Sequence, residues 1–346
     1  MGKCVFADGT VIQDYKRPYI IAEVNSSHNG NMDTARKMID AAAMAGCDCV
    51  KFQSWSASSL YSKSYYNENP IAKRFVTKFS LAPNQLKELS EYCRSKGISF
   101  SSTPYSKEEV DYLIEECRVP FIKIASMELN NFSFLDYIGR KGVPVVLSTG
   151  MGETNEIREA VRVIETAGNR HIILLHCVSV YPVETEQINL NNIIAFREMF
   201  PEYPIGFSDH TLGDEAAVAA TALGAAVLEK HMTLDSKKIG MDNQMAMEPS
   251  DLEQLVSKCR RVNRALGKRE RVVTQDEYEQ RKKMRRSIVT ARNLSKGTIL
   301  TVSDLAVKRP GTGIPPDQKR MLLGRMLKHD MEADMLICLA DLEAEI

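Results

Sequence analysis

The chain lacks a charge bias: 45 Lys and Arg stand against 45 Asp and Glu, a formal net charge of zero. That excludes the electrostatic footprint of a nucleic-acid or anionic-membrane binder, so any anionic ligand must be met by local charges. Paired thiols are lacking too. The eight cysteines are scattered through apolar runs, Cys47 and Cys49 among them, with no Cys-x-x-Cys, and a chain of 346 residues needs no disulfide staples. They read as reduced thiols, which predicts a cytoplasmic protein. No apolar run approaches the ~20 residues of a membrane span, and Met1-Gly2-Lys3-Cys4 leads into Asp and Gly rather than a signal-peptide core. With Phe6 where Ser or Thr belongs, the Met-Gly start is no myristoylation signal.

What is present is a repeating unit. A short β-branched or aliphatic run, Tyr19–Val24, is followed by helical periodicity around Met32–Ala45. The unit recurs with strands near Cys49–Phe52, Ile98–Ser101, Phe121–Ile124, Val145–Leu147, Ile172–Leu175, Ile205–Phe207 and Ala226–Glu229. Helix starts are marked by Asn31 or Asp33, by Pro83, and by Ser250 before a last helix ending near Gly267. Eight strand–helix units predict a (β/α)8 barrel. An open doubly wound sheet ranks lower, because the first strand lacks a Gly-x-Gly-x-x-Gly turn. Ahead of the barrel, Cys4–Ile12 reads as a hairpin about Asp8-Gly9, placed to plug the barrel bottom. The predicted domains are 1–267 for hairpin and barrel, 268–286 for a charged, solvated linker helix, and 287–346 for a small module. In that module Leu294–Leu305 and Met331–Leu342 resemble each other, which suggests internal pseudo-symmetry.

A barrel carries its chemistry at the C-terminal strand ends. Here each apolar run terminates in polar residues: Glu23; Lys51 and Gln53; Ser102 and Thr103; Lys123 with Ser126 and Glu128; Ser148 and Thr149; His176 with Ser179 and Tyr181; Ser208, Asp209 and His210; Glu229 and His231. A lone lysine after a strand usually just reaches solvent. Two lysines with several hydroxyls converging on one mouth, Lys51, Lys123, Ser126, Ser148 and Ser208, read instead as a cradle for a small phosphate- and carboxylate-bearing ligand. His210 and His231 end neighbouring strands and are either two ordinary histidines or a divalent-metal site of the Mn²⁺, Fe²⁺, Co²⁺ or Mg²⁺ type, with Asp209 a plausible supporting acceptor. His176 is as readily a hydrogen-bonded structural residue as a functional one.

The runs Ile21-Ala22-Glu23-Val24-Asn25-Ser26-Ser27-His28-Asn29-Gly30, Val50-Lys51-Phe52-Gln53, Ser102-Thr103-Pro104, Lys123-Ile124-Ala125-Ser126, Ser148-Thr149-Gly150-Met151, Leu175-His176-Cys177 and Gly206-Phe207-Ser208-Asp209-His210-Thr211 resemble the sialic acid synthase family. The tail, Val307-Lys308-Arg309-Pro310-Gly311-Thr312-Gly313-Ile314, is similar to that family's antifreeze-like domain. The resemblance implies a barrel enzyme, a domain-swapped homodimer, that condenses phosphoenolpyruvate with an N-acylmannosamine-type aldehyde and water and releases phosphate. It implies a divalent metal, Mn²⁺ with Mg²⁺ or Co²⁺ as alternatives, on His210 and His231. By the same resemblance Lys51, Thr103, Lys123, Ser126, Ser148 and Ser208 hold phosphoenolpyruvate, and Glu23, Gln53, Glu128, Tyr181 and Asp242 line the sugar and water side. Arg309 reaches the sugar's acyl group from the other chain. Glu23, Lys51, Lys123 and Glu128 are the catalytic candidates.

The sequence departs from the family at Gly240-Met241-Asp242-Asn243, where Gly-Pro-Asp-His is more usual, and at Ser179, which stands for a phosphate-contacting asparagine. A third departure, Glu332-Ala333-Asp334 for Lys-Gly, touches only the small module. The acceptor is left open between N-acetylmannosamine and a 2,4-diacetamido-trideoxyhexose. Two rivals are a synthase acting on a phosphorylated aldose and a catalytically silent polysaccharide-assembly protein on the same scaffold. The silent protein predicts loss of a lysine or a metal histidine, and none is lost.

Overall fold

The computed structural model describes residues 1–238, 240 and 242–344, and the chain divides into two compact units, Met1–Gly267 and Lys268–Ile346. The first opens with the hairpin β1 (Lys3–Val5) and β2 (Val11–Gln13), turned at Gly9 with φ 88°. Eight parallel strands follow: β3 (Tyr19–Asn25), β4 (Cys49–Gln53), β5 (Ser99–Thr103), β6 (Ile122–Ile124), β7 (Val145–Ser148), β8 (Ile172–Cys177), β9 (Ile205–Asp209) and β10 (Val227–His231). Their order, β5-β4-β3-β10-β9-β8-β7-β6, makes the first and last barrel strands neighbours and brings the sheet's two ends, β5 and β6, side by side. Among the described residues no backbone ladder joins β5 to β6. Across that seam Ser101 Oγ donates to the Phe121 carbonyl at 3.3 Å. The architecture is the expected (β/α)8 barrel.

Period-two alternation assigns every strand residue to one of two cores. Outward residues such as Ile20, Val50, Phe100, Ile122, Leu147, Leu174, Phe207 and Leu228 pack under the surrounding helices, where each full burial of such a side chain stabilises by about 1.5–3 kcal/mol. Inward residues near the strand starts, Tyr19, Ile21, Cys49, Phe121, Val146, Ile173 and Val227, form a second cluster with Cys4, Phe6 and Ile12 of the hairpin. Phe6 stacks on Phe121 at 4.5 Å and meets Tyr19 edge-on at 5.2 Å, so the hairpin does plug this end. Gly206 is inward on β9, where a Cβ would lie 2.5 Å from Leu175 Cδ2 and from the Val227 carbonyl; only glycine fits.

The helix Met32–Ala45 is capped by Asn31, whose side chain accepts from Thr34 N at 2.9 Å, and the last barrel helix, Pro249–Leu266, starts one residue before the expected Ser250. Two short helices between β4 and the helix Pro83–Ser95, Lys63–Glu68 and Pro70–Phe79, were not expected. Within the described residues no helix is long and apolar enough to cross a membrane.

In the second unit, the helix Gln275–Met284 precedes the antiparallel pair β11 (Ser287–Thr290) and β12 (Leu305–Lys308). The two similar segments adopt matching turns: Thr301 N donates to Asp304 Oδ2 at 2.9 Å, and Cys338 N to Asp341 Oδ2 at 2.7 Å. Leu294 and Met331 exchange both backbone hydrogen bonds at 2.8 Å, as a local two-fold requires.

Candidate functional site

At the C-terminal ends the inward positions change from apolar to polar. Glu23 and Asn25 follow Ile21 on β3, Lys51 and Gln53 follow Cys49 on β4, and Glu229 and His231 follow Val227 on β10. With Thr103, Lys123, Ser148 and Ser208 from the other strands they line a cavity of about 310 Å³. Its floor is a buried charge cluster. Lys51 pairs with Glu23 and donates to Thr103 Oγ1 at 3.1 Å; Lys123 donates to Ser148 Oγ at 2.7 Å. Both ammonium groups lie 3.7 Å from Glu229 Oε1, which also accepts from Ser208 Oγ at 3.1 Å, while Glu229 Oε2 is buried without a hydrogen-bond partner.

The two carboxylates are driven apart. Burial raises the Glu23 carboxyl, Glu229 adds to the rise, and the charge and hydrogen bond of Lys51 offset the two only in part. Burial pushes on Glu229 as well, but Lys123 and Lys51, with His210 and the Ser208 hydroxyl, hold that carboxyl below the ordinary range. Burial pulls Lys123 below an ordinary lysine, whereas Glu229 and Glu23 more than restore Lys51. Separated carboxyl pKa values mark an acid–base candidate beside a permanent anion. Here these are Glu23 and Glu229.

At the ends of β9 and β10 the His210 and His231 rings lie 5.4 Å apart, centroid to centroid. His210 Nδ1 is 2.7 Å from the Val178 carbonyl, which only accepts, so Nδ1 carries the proton and Nε2 keeps its lone pair. The Tyr181 ring packs on His210 at 4.2 Å, and Asp242 Oδ2 is 3.8 Å from His231 Nδ1. Burial keeps both imidazoles neutral, the form that binds metal. Among the described residues no group of three His, Cys, Asp or Glu is arranged as a closed metal cluster. Two neutral imidazoles, one with a fixed tautomer, fit an open site whose remaining positions go to water or substrate.

Of the other expected residues, Ser126, Ser179, Tyr181 and Asp242 line the cavity, and Ser126 Oγ accepts from Gly150 N at 3.0 Å. Glu128 does not; it turns aside to accept from Asn131 at 2.7 Å. Arg309 is exposed just beyond β12 in the second unit, and Met241 lies outside the described residues. Asp209 is no support for the histidines: it is outward, accepting from Lys230 Nζ at 2.8 Å and from Thr211 N at 2.8 Å. His176 is outward as well, bonded to the Ile188 carbonyl at 2.7 Å and stacked on Phe207, which settles it as structural. Sequence reading gave no role to Glu229, Asn25 or Tyr105, whose hydroxyl donates to Gln53 Oε1 at 2.8 Å. Counting in twos back from His231 would have put Glu229, already noted at that strand end, on the cavity side.

Residues 38–271 match the NeuB family and residues 285–343 the SAF domain. The chain is 40% identical over 325 residues to an uncharacterized protein of Methanocaldococcus jannaschii, covering 94% of each. It is 34% identical over 333 residues to the N,N'-diacetyllegionaminic acid synthase of Campylobacter jejuni, covering 93% of this chain and 99% of that one. A solved N-acetylneuraminic acid (sialic acid) synthetase of Leptospira borgpetersenii, in complex with citrate, superposes with a TM-score of 0.74 at 31% identity, covering 81% of this chain and 96% of the other.

Proposed function

The chain belongs to the NeuB family, and from that premise we propose that it condenses phosphoenolpyruvate with an N-acylmannosamine-type sugar aldehyde and water, giving a nine-carbon 2-keto acid and phosphate. The observation that carries the reading is the floor of the cavity, where two buried lysines share one carboxylate and are ringed by hydroxyls. Phosphate and carboxylate entering there exchange water for the ammonium groups of Lys51 and Lys123 and the hydroxyls of Thr103, Ser126, Ser148 and Ser208, so that neither group is buried without a donor. Glu229 stays ionised and keeps the two ammonium groups apart and oriented.

C3 of phosphoenolpyruvate forms the new bond to the aldehyde carbon, cationic character develops at C2, and water adds there. Glu23, whose raised pKa makes it a better proton acceptor than an ordinary carboxylate, takes the proton of that water. That proton passes on to the former aldehyde oxygen, which becomes a hydroxyl, and the tetrahedral adduct expels phosphate as its C2 hydroxyl gives its proton to the leaving group and becomes the keto group. A divalent cation on His210 and His231, Mn²⁺ with Mg²⁺ or Co²⁺ as alternatives, supplies Lewis-acid polarisation of the aldehyde and an acidified water when bound. Gln53, Tyr181 and Asp242 face the sugar. We assign Arg309, whose planar fork suits an acyl oxygen, to the site of a second copy in a homodimer. All seven buried cysteines and the exposed Cys338 are free, which fits a reducing compartment, and we place the protein in the cytoplasm.

The test is phosphate release from phosphoenolpyruvate across a panel of N-acylated hexoses, with the 2-keto acid identified by mass. Binding of phosphoenolpyruvate without release on any sugar rejects the synthase reading in favour of a silent scaffold. For Arg309, a verified mixed dimer of Lys123→Ala and Arg309→Ala chains regains activity only if the arm acts across the dimer.

A further inference from the structure

Asn25 is the last residue of β3 and sits in the left-handed region, φ 48°, where the β3–β4 register shifts. Its backbone N–H donates to Glu23 Oε1 at 2.8 Å and its side-chain Nδ2 donates to Asp242 Oδ2. A carboxylate only accepts, so the amide orientation is fixed and Oδ1 is the free end. That oxygen is buried with no partner, on a cavity-lining residue only 5% exposed. Beside it stand the carboxylates of Asp242 and Glu23, so this wall offers acceptors and needs donors.

The charge balance points the same way. Among the described residues lining the cavity the cations are Lys51 and Lys123, both on the floor and both engaged by Glu229. The rest of the lining includes Trp55, Leu60, Tyr61, Met127, Met151 and Tyr181 and carries no further cationic side chain among the described residues. With the cation of His210 and His231 assigned to the aldehyde and Arg309 to the acyl group, a phosphate at the far end of the acceptor sugar would meet carboxylates and apolar side chains, with no counter-charge among the described residues that line the cavity.

We propose that Asn25 is a specificity residue that, with Asp242, selects an uncharged acceptor sugar presenting hydroxyl or acylamino N–H groups to this wall, and that a phosphorylated sugar is refused. The inference rests on the condensation reading above. Asn25 is not needed merely to tie down the loop that carries Asp242, because Ser27 Oγ donates independently to Asn243 Oδ1 at 2.5 Å.

Asn25→Gly keeps the left-handed backbone at no steric cost and removes only the side chain. The wild-type chain and this variant are assayed with N-acetylmannosamine, its 6-phosphate and a 2,4-diacetamido-2,4,6-trideoxyhexose, with phosphoenolpyruvate affinity measured separately by calorimetry. The wild type should use neutral sugars at a kcat/KM at least about tenfold above the phosphate ester. The variant should raise KM for the neutral sugar about tenfold, the scale of one hydrogen bond, with phosphoenolpyruvate affinity unchanged. Should the glycine chain fail to fold, Asn25→Ala, which also removes the acceptor oxygen, replaces it and should raise the same KM. Preference for the phosphate ester, or an unchanged acceptor KM, overturns the inference while leaving the synthase reading intact. Phosphoenolpyruvate binding with no turnover on any sugar removes the reading itself.

Discussion

Lys51 and Lys230 belong to the same ring of strands and are 2% and 1% exposed, yet their surroundings differ in kind. Lys230 is outward and saturated. It donates to Asp209 Oδ2 at 2.8 Å, to the Thr211 carbonyl at 2.7 Å and to Thr211 Oγ1 at 3.3 Å, and Asp209 Oδ1 takes the Thr211 N–H and hydroxyl in turn. Lys51 is inward, in a cluster where two ammonium groups stand 3.7 Å from one carboxylate whose second oxygen has no partner. The histidines divide likewise. His176 and His28 face packed side chains and bonded backbone, while His210 turns its free nitrogen away from its one carbonyl partner. Burial alone therefore does not mark a site. Burial with hydrogen-bonding capacity left open does, because such a group is costly until a ligand completes it.

The sharpest way to break this division is to cross it with matched substitutions. His210→Ala should abolish turnover and strip bound metal, read by elemental analysis, with little change in the urea midpoint; His176→Phe should keep turnover. Activity surviving in metal-free His210→Ala protein would refute the imidazole site. Next in size is Lys230→Met, which leaves Asp209 buried and uncompensated and should cost about 3–5 kcal/mol in urea unfolding. The double change Lys230→Met with Asp209→Asn, which removes the uncompensated charge and keeps an acceptor for Thr211, should recover part of it, and no recovery would mean that the buried charge is not the cause.

His28 is the pH probe of the packed class. Burial lowers its pKa to about 4, only partly offset by the Asn25 carbonyl, and Nδ1 accepts from Gly30 N at 3.0 Å. The neutral form is the one that fits, while the unfolded chain takes up a proton near 6.5. Its contribution is complete above that value and is lost as pH falls from about 6.5 to about 4, a span of about 3 kcal/mol. His28→Gln should remove that slope from the stability profile, and an unchanged slope would show that other groups cause it. Smallest is Lys123→Met. It should weaken phosphoenolpyruvate binding by about 1.5 kcal/mol in calorimetry, the scale of one charge-assisted contact, and cost less stability than Lys230→Met because Lys51 still faces Glu229.

All eight barrel strands were legible in the sequence, and most were read short at their C-terminal ends. Reading stopped where the apolar run stopped, before Asn25, Gln53, Thr103, Cys177, Ser208 and His231, because the strands continue into residues that face the cavity. The cradle lysines, hydroxyls and paired histidines were visible as residue types at those ends. The sides they face were not used. Parity alone separates Glu229 and His231 from Lys230, and Cys177 from His176, and would have withdrawn Asp209 from the histidines. Asn25 was beyond reach, since its placement depends on a register shift between β3 and β4 and on a partner 217 residues away. The helices at Lys63–Glu68 and Pro70–Phe79 were missed because Asn69 and Pro70 break one helical stretch into two short pieces.

The strand order has a consequence in time. Tyr19 pairs with Val227, so one edge of the first barrel strand waits for about two hundred further residues before its neighbour exists. At 5–20 residues per second of synthesis, that wait is on the order of ten to forty seconds. The hairpin is bound to the same schedule. Asp14 takes the Ile205 N–H at 2.9 Å and Tyr15 N donates to the Gly224 carbonyl at 3.1 Å, so the segment that stoppers the closed end needs partners made near the end of the barrel. On the ribosome, the hairpin emerges ahead of every barrel strand and is among the last pieces to be seated.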